Sequence, residues 1–146
     1  MTDNETATLW STEIEASADI ATLCQSLFSK TPLVRHGLRE GHELGERDAP
    51  FFVVVPFSDF DGFEAENSTA KVVVTIGILD REWIAFGTRG QRARGLESME
   101  RIECALRTLL GETSEPPSRW TAEYANPGPD FYVRSILFET DNLRTI

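Results

Sequence analysis

The sequence predicts a single α+β domain built on a mainly antiparallel sheet of four to five strands, with two helices packed on one face. Two β-rich runs, residues 51–55 and 71–79, are bounded by turn formers, as strands at the centre of a sheet are. An apolar stripe over residues 96–110 has helical spacing. The length of 146 residues suits one domain that buries about two thirds of its unfolded surface. The predicted order is α-β-β-α-β-β, with a possible edge strand after the first helix.

The N-terminal residues 1–15 are polar, and we expect a flexible arm there. The first helix could begin at a capping box formed by Thr12 and Glu15, or at Ser17 followed by Asp19. It should end before Pro32. Its predicted apolar face comprises Ile20, Leu23, Leu27 and Phe28, with Cys24 at the edge as a core residue.

Composition limits the class of partner. The net charge of −10 argues against a general nucleic-acid binder, because phosphate binding needs Lys and Arg, and favours solubility or a basic partner surface. Two cysteines are too few for a disulfide framework, which fits a reduced, cytosolic protein. We also expect no secretory signal and no membrane-spanning helix, since no apolar run approaches about 20 residues.

Residues 33–48 combine a short alternating segment, typical of an edge strand, with a glycine-containing loop. His36, Glu40 and His42 in this stretch could ligate zinc or iron. Neither an HExxH motif nor a cysteine-rich partner motif accompanies them, so we expect a solvated loop and no metal site.

Residues 57–67 join the two central strands as an acidic, aromatic hairpin tip. Asp59, Asp61 and Gly62 resemble part of a calcium loop, but the register places Phe57 and Ser68 at positions that need Asp and Glu. The calcium interpretation therefore fails. The aromatic residues could dock onto a partner or fold back under the loop. They are Phe57, Phe60 and Phe63.

Residues 80–95 hold the only concentrated positive charge, contributed by Arg89, Arg92 and Arg94. The glycines here do not form a phosphate-binding loop, because the GxxxxGK[ST] pattern is absent. We expect a mobile basic loop, with contact to acidic neighbours or to a nucleic-acid backbone as the alternative.

The second helix, residues 96–110, places Cys104 away from its apolar stripe, so we expect this thiol to be exposed or at a subunit contact. Residues 119–124 and 132–140 alternate on either side of a Pro-Gly turn and predict a second hairpin. The tail, residues 141–146, is polar. One sheet face should carry the helices, and the other is free to meet another subunit.

Several of these features recur together in one family. They are a first helix that ends near Pro32, the segment 49–56 followed by an acidic hairpin tip, the strand 72–79, the helix 96–110 and a closing hairpin with Trp120. In this pattern, residues 20–140 resemble the tail-terminator and tail-completion proteins of long-tailed bacteriophages, which are minor tail and head–tail joining proteins. The long segment 80–95 and the acidic N-terminal arm depart from the compact pattern.

The resemblance implies a structural protein without catalysis, cofactor or metal. It implies a homo-oligomeric ring that caps the tail tube and joins it to the head. The partners would be tail-tube and head-connector proteins, with no membrane and no sequence-specific nucleic acid. The protein would be found in the cytoplasm of a bacterial host, encoded by a phage or prophage, and in the virion. The candidate interface residues are Phe57, Phe60, Phe63, Arg89, Arg92 and Arg94.

Two other classes remain open at this point. A small intracellular binding module could use the same sheet face for one partner. A metal-dependent enzyme could use His36 and His42, although the sequence offers no Ser-His-Asp or Cys-His pairing for catalysis.

Overall fold

The computed structural model describes residues 2–37, 43–57 and 69–141, and it has the predicted α+β class. Within these ranges it contains three α-helices, a mixed five-stranded sheet and a separate two-stranded sheet. The elements are α1 (Asp3–Ala16), α2 (Ala18–Phe28), β1 (Leu33–His36), a 3-10 turn (Glu46–Asp48), β2 (Phe51–Pro56), β3 (Thr69–Leu79), β4 (Trp83–Phe86), β5 (Gly90–Ala93), α3 (Gly95–Gly111), β6 (Arg119–Gly128) and β7 (Phe131–Asp141).

The main sheet has the order β1-β2-β3-β7-β6, with β3 at its centre. The β2–β3, β3–β7 and β6–β7 pairs are antiparallel, as expected. The edge strand β1 forms where the alternation predicted one, but it runs parallel to β2, with Leu33 opposite Phe51. The sheet is therefore mixed: mainly antiparallel, as predicted, with one parallel pair at this edge that the sequence did not predict. The segment between β1 and β2 returns the chain to the same end of the sheet, as a parallel pair requires.

The main core lies between the helices and one face of this sheet. Val72, Val74, Ile76 and Ile78 of β3 are fully buried on that face, as their alternation predicted. The helices cover them with large side chains that are also fully buried. These include Trp10, Ile14, Ile20, Met99, Ile102, Leu106 and Leu110.

The N-terminal segment is the main correction. It forms helix α1 instead of a flexible arm, and a capping box between Thr2 and Glu5 begins it. Trp10 is fully buried, meets the Phe138 ring edge-on at 5.6 Å, and donates a hydrogen bond from Nε1 to the Glu115 carbonyl at 3.2 Å. The sequence shows no apolar stripe for this helix, because much of its buried face consists of small or polar residues. The buried residues of α1 are Thr6, Ala7, Trp10, Ser11 and Ile14.

Helix α2 begins at Ser17, the second of the two predicted starts. The Ser17 hydroxyl accepts a hydrogen bond from the Ile20 N–H at 3.2 Å. Thr12, the other candidate, lies inside α1, and its hydroxyl donates to the Thr8 carbonyl at 2.9 Å. Cys24 is fully buried, as expected of a core residue.

The opposite face of the sheet is partly covered by the chain itself. Phe51, Val53 and Val55 of β2 form a smaller buried cluster with Ala49 and Phe131. Gly77 of β3 makes this possible, because a Cβ atom there would overlap the Phe51 ring. Along β3 and β7 this face is only half-buried at Val73, Thr75, Ser135 and Leu137.

Residues 80–95 also differ from the expectation of a mobile loop. They contain the β-hairpin β4–β5, in which Trp83 pairs with Ala93 and Phe86 with Gly90. Gly87 in its turn has a φ of 67°, a left-handed conformation that glycine adopts without strain. The hairpin is therefore an ordered projection between β3 and α3.

The remaining elements follow the sequence closely. Helix α3 extends the predicted 96–110 helix by one residue at each end, and β6 runs on to Gly128. The predicted tip at residues 58–68 and the tail at 142–146 lie outside the described residues. Among the helices that the structure describes, none is both long and apolar enough to cross a bilayer.

Candidate functional site

Strand β6 is exposed to an unusual degree for a ten-residue strand. Residues 119–127 are all exposed, and only Gly128 is half-buried. Within the described ranges β6 pairs with β7 alone and forms the outer edge of the sheet. An edge strand of this length presents backbone groups and two side-chain faces to a partner.

One face of β6 carries two aromatic residues held beside arginines. The Arg107 guanidinium lies 5.1 Å from the Trp120 ring, and the Arg134 guanidinium lies 5.4 Å from the Tyr124 ring. Glu103 of α3 joins the two, since its carboxylate is 3.6 Å from Arg107 and 3.2 Å from Arg134. We call these five residues the β6 platform.

The β6 platform has a buried carboxylate beneath two exposed aromatic rings. Glu103 is 9% exposed, so its charge is balanced by the two arginines in a place with little water. Trp120 is 46% exposed and Tyr124 is 43% exposed. Burial raises the pKa of the Tyr124 hydroxyl, as does the neighbouring Tyr132, so Tyr124 is a neutral hydrogen-bond donor at physiological pH. The arrangement can bind a partner through aromatic and polar contacts.

The base of the β4–β5 hairpin is fixed by a buried carboxylate. Asp80 Oδ2 accepts hydrogen bonds from Arg94 Nε at 2.8 Å and from Ser98 Oγ at 2.6 Å, and Oδ1 accepts one from the Glu82 N–H at 3.0 Å. Arg94 also donates to the Leu27 carbonyl at 2.8 Å. Asp80 therefore ties the end of β3, the hairpin and α3 to the C-terminal end of α2.

Two opposing effects set the pKa of Asp80. Burial alone raises it, but the hydrogen bonds from Arg94, Ser98 and the Glu82 N–H, with the positive charge of Arg94, bring it below the usual value. Asp80 is 2% exposed and remains a carboxylate at neutral pH.

The same hairpin is open to solvent both at its tip, beside Phe86, and at the start of β4, where Trp83 pairs with Ala93. Phe86 is 64% exposed and Trp83 is 58% exposed, which makes them the two most exposed large hydrophobic residues of the described chain. The Arg92 guanidinium lies 6.0 Å from the Phe86 ring and 3.3 Å from the Glu97 carboxylate. Arg89 lies in the turn and is exposed. This tip combines positive charge with aromatic surface.

A groove of 380 Å³ opens between α2 and α3 at their other end. Leu23, Ala105 and Leu109 supply apolar lining, and Cys104 lies among them. The exposure predicted for Cys104 is confirmed. The remaining lining residues are Ser17, Asp19, Arg101, Thr108 and Glu112.

The structure separates the arginines that the sequence grouped together. Arg89 and Arg92 are exposed at the hairpin tip, whereas Arg94 is part of the Asp80 network. Phe57 is half-buried at the end of β2, where Lys71 Nζ lies 5.6 Å from its ring. The other two aromatic candidates, Phe60 and Phe63, lie outside the described residues.

The proposed metal ligands are not brought together within the described residues. His36 is exposed at the end of β1, while Glu40 and His42 fall outside the described ranges. In the described part of the chain, no group of three or more His, Cys, Asp or Glu side chains could hold a metal ion.

Sequence analysis missed the exposed aromatic residues Trp83, Phe86, Trp120 and Tyr124. Residues 119–124 gave no signal of this exposure, because Trp120, Ala122 and Tyr124 alternate with polar residues as the buried face of a strand would. For Trp83 and Phe86, too, no sequence signal distinguishes exposed aromatic residues from core residues.

A scan against protein-family models finds no matching family, and a search of curated proteins finds no match.

Proposed function

We propose that the protein is a structural assembly subunit: copies form a ring that caps the tail tube of a long-tailed phage or prophage and joins it to the head. The observation that carries the proposal is the β6 platform on a long, exposed edge strand. The order of a helix that ends before Pro32, the central strands, helix α3 and the closing Trp120 hairpin supports it, because this order resembles that of tail-terminator and tail-completion proteins.

The β6 platform suits binding to another protein. Burying the exposed part of Trp120 would contribute on the order of 2 kcal/mol. Both arginines already form ion pairs with Glu103, which reduces the side-chain entropy that is lost when a partner covers them. We assign this edge to the tail-tube or head-connector protein.

The proposed role is assembly and not catalysis. It needs no cofactor, and its specificity would come from shape and charge at the exposed edge. A monomeric binding module could use the same strand, since an extended peptide can add to an exposed sheet edge. The number of copies in the native particle separates these two candidates.

Negative-stain imaging of the purified chain at high concentration tests the proposal. We expect closed rings with a channel wide enough for duplex DNA. Compact dimers without a channel would contradict the ring, and a particle of one copy that binds a strand-like peptide would favour the binding module.

The β6 platform is tested with tails assembled without their own terminator. Trp120→Ala with Tyr124→Ala should abolish co-sedimentation with such tails, while rings still form. Leu33→Ala is the matched control, because Leu33 is 39% exposed on the opposite edge of the sheet. Loss of tail binding in this control alone would assign the contact to β1.

A further inference from the structure

The β4–β5 hairpin and the α2–α3 groove lie at opposite ends of the helix layer. The hairpin adjoins the start of α3 and the end of α2, where Arg94 reaches the Leu27 carbonyl. The groove is formed by the start of α2, around Asp19, and the end of α3, around Glu112. The groove lining on α3 begins at Arg101 and ends at Glu112, so its middle is about 17 Å from the start of the helix, where the hairpin joins it.

The groove end of the molecule is acidic. Asp19 and Glu112 line the groove itself, with Arg101 as the one basic side chain of the lining. Glu13 and Glu15 stand in the last turn of α1, just before α2 begins. The Trp10 hydrogen bond to its carbonyl places Glu115 near α1 as well. In the groove lining itself, two carboxylates accompany one cation beside the apolar residues.

The hairpin tip has the complementary chemistry. Phe86 projects at the end of β4, and Arg89 follows in the turn. Arg92 forms an ion pair with Glu97 in which the two side chains are 55% and 49% exposed. Exposed pairs of this kind contribute little, so Arg92 can exchange Glu97 for a carboxylate of a partner.

We propose that the hairpin tip of one copy docks into the α2–α3 groove of the next copy, with the Phe86 ring against Leu23 and Leu109. Arg89 and Arg92 then face Asp19 and Glu112 at the rim. A volume of 380 Å³ accommodates one aromatic side chain, given that pockets for small ligands measure about 300–1,000 Å³. This inference rests on the proposed ring and names its subunit contact.

The contact is head-to-tail, because each copy offers a hairpin at one end and a groove at the other. Repetition of such a contact closes into a ring when the rotation permits and otherwise gives a filament. The β6 platform uses Glu103 and Arg107 of α3, which are not among the residues that line the groove, and we assign it to a different partner.

Native Cys104 makes the contact testable by cross-linking. In the variant Phe86→Cys, mild oxidation should link the new thiol of one copy to Cys104 of the next, since a disulfide needs Cα atoms only about 4.4–6.8 Å apart. Each copy of the variant carries both of the thiols that form the cross-link. The expected result on a non-reducing gel is a ladder of dimers, trimers and higher species.

Two controls separate this ladder from chance oxidation. Phe86→Cys with Cys104→Ser has one accessible thiol and should stop at dimers. Leu33→Cys, which keeps Cys104 and places the new thiol on the β1 edge, should give no ladder. Cys24 is fully buried and does not compete.

The native masses of the wild-type chain and of Phe86→Cys, measured in parallel, separate the test of the ring from the test of the hairpin contact. If Phe86→Cys still forms oligomers but gives no ladder, the hairpin contact is overturned and the ring is left standing. A wild-type chain that stays monomeric would overturn both. Oligomers with a ladder that depends on Cys104 would support the contact.

Discussion

The two ends of the β4–β5 hairpin both carry arginine residues, but these arginines have different roles. At the base, Arg94 is bonded to a buried carboxylate and a helix carbonyl, so it holds the hairpin to the body. At the tip, Arg89 and Arg92 are exposed beside an exposed Phe86. The comparison teaches that burial of the partner, more than the charge itself, decides whether an arginine stabilises the fold or is available for binding.

The largest effect on stability should come from a substitution in the Asp80 network at the base of the hairpin. Asp80→Asn removes the charge that Arg94 and Ser98 are arranged to meet, and we expect a loss of about 3 kcal/mol in the free energy of unfolding. Urea unfolding measures it. Glu97→Gln is the control at the tip, where the exposed pair with Arg92 should be worth about 0.5 kcal/mol or less. Similar losses in both variants would remove the distinction between base and tip.

Charge reversals at the hairpin tip or at the groove that faces it should affect self-association and not folding. Arg89→Glu alone, or Glu112→Arg alone, should weaken self-association about tenfold or more, because each places like charges opposite one another. Neither should lower the free energy of unfolding noticeably. Mixing the two variants should restore association, since every hairpin then meets a groove of opposite charge. Failure of the mixture to recover would argue against this pairing of residues.

Acidic pH should selectively destabilise the Asp80 network at the base of the hairpin. The pKa of Asp80 is lower in the folded chain than in the unfolded one, so the unfolded state binds more protons in the interval between the two values. The stability that Asp80 contributes is complete above its unfolded pKa, about 3.9, and is lost as pH falls through the folded pKa. In urea unfolding measured at several acidic pH values, the free energy of unfolding should depend less steeply on pH for Asp80→Asn than for the wild-type chain. An unchanged slope would contradict the assigned role of this carboxylate.

The smallest effect is a difference in rate between the two thiols. Burial raises the pKa of Cys24 to about 12, so only Cys104 should react quickly with a thiol reagent in the native chain. Both thiols should react in denaturant. Because Cys104 lies in the groove, its reaction should slow as the chain concentration rises. A rate that does not depend on concentration would place the subunit contact elsewhere.

The sequence predicted the parts of the fold that follow a strong period. The alternation in β3 and the apolar stripe of α3 each place a row of side chains in the core, so both elements were found with nearly correct ends. Helix α1 was missed, since Thr6, Ala7 and Ser11 take up much of its buried face. Capping at Thr2 and the burial of Trp10 stabilise it through contacts that no local pattern records.

The candidate site was predictable only in part. Sequence analysis identified Arg89, Arg92 and Arg94 as a group, because it detects charge density. It could not detect that Asp80 and Ser98 take one of the three into a buried network. The β6 platform depends on contacts between α3 and two strands that are distant in sequence, so it becomes visible only in the folded chain.

Sedimentation equilibrium of the wild-type chain over a wide concentration range tests the central claim, that copies of this chain associate, most directly. The predicted result is a weight-average mass that rises from the monomer value of 16.4 kDa to a plateau at a whole multiple of it, as a closed ring requires. A mass of 16.4 kDa at every concentration would contradict the account.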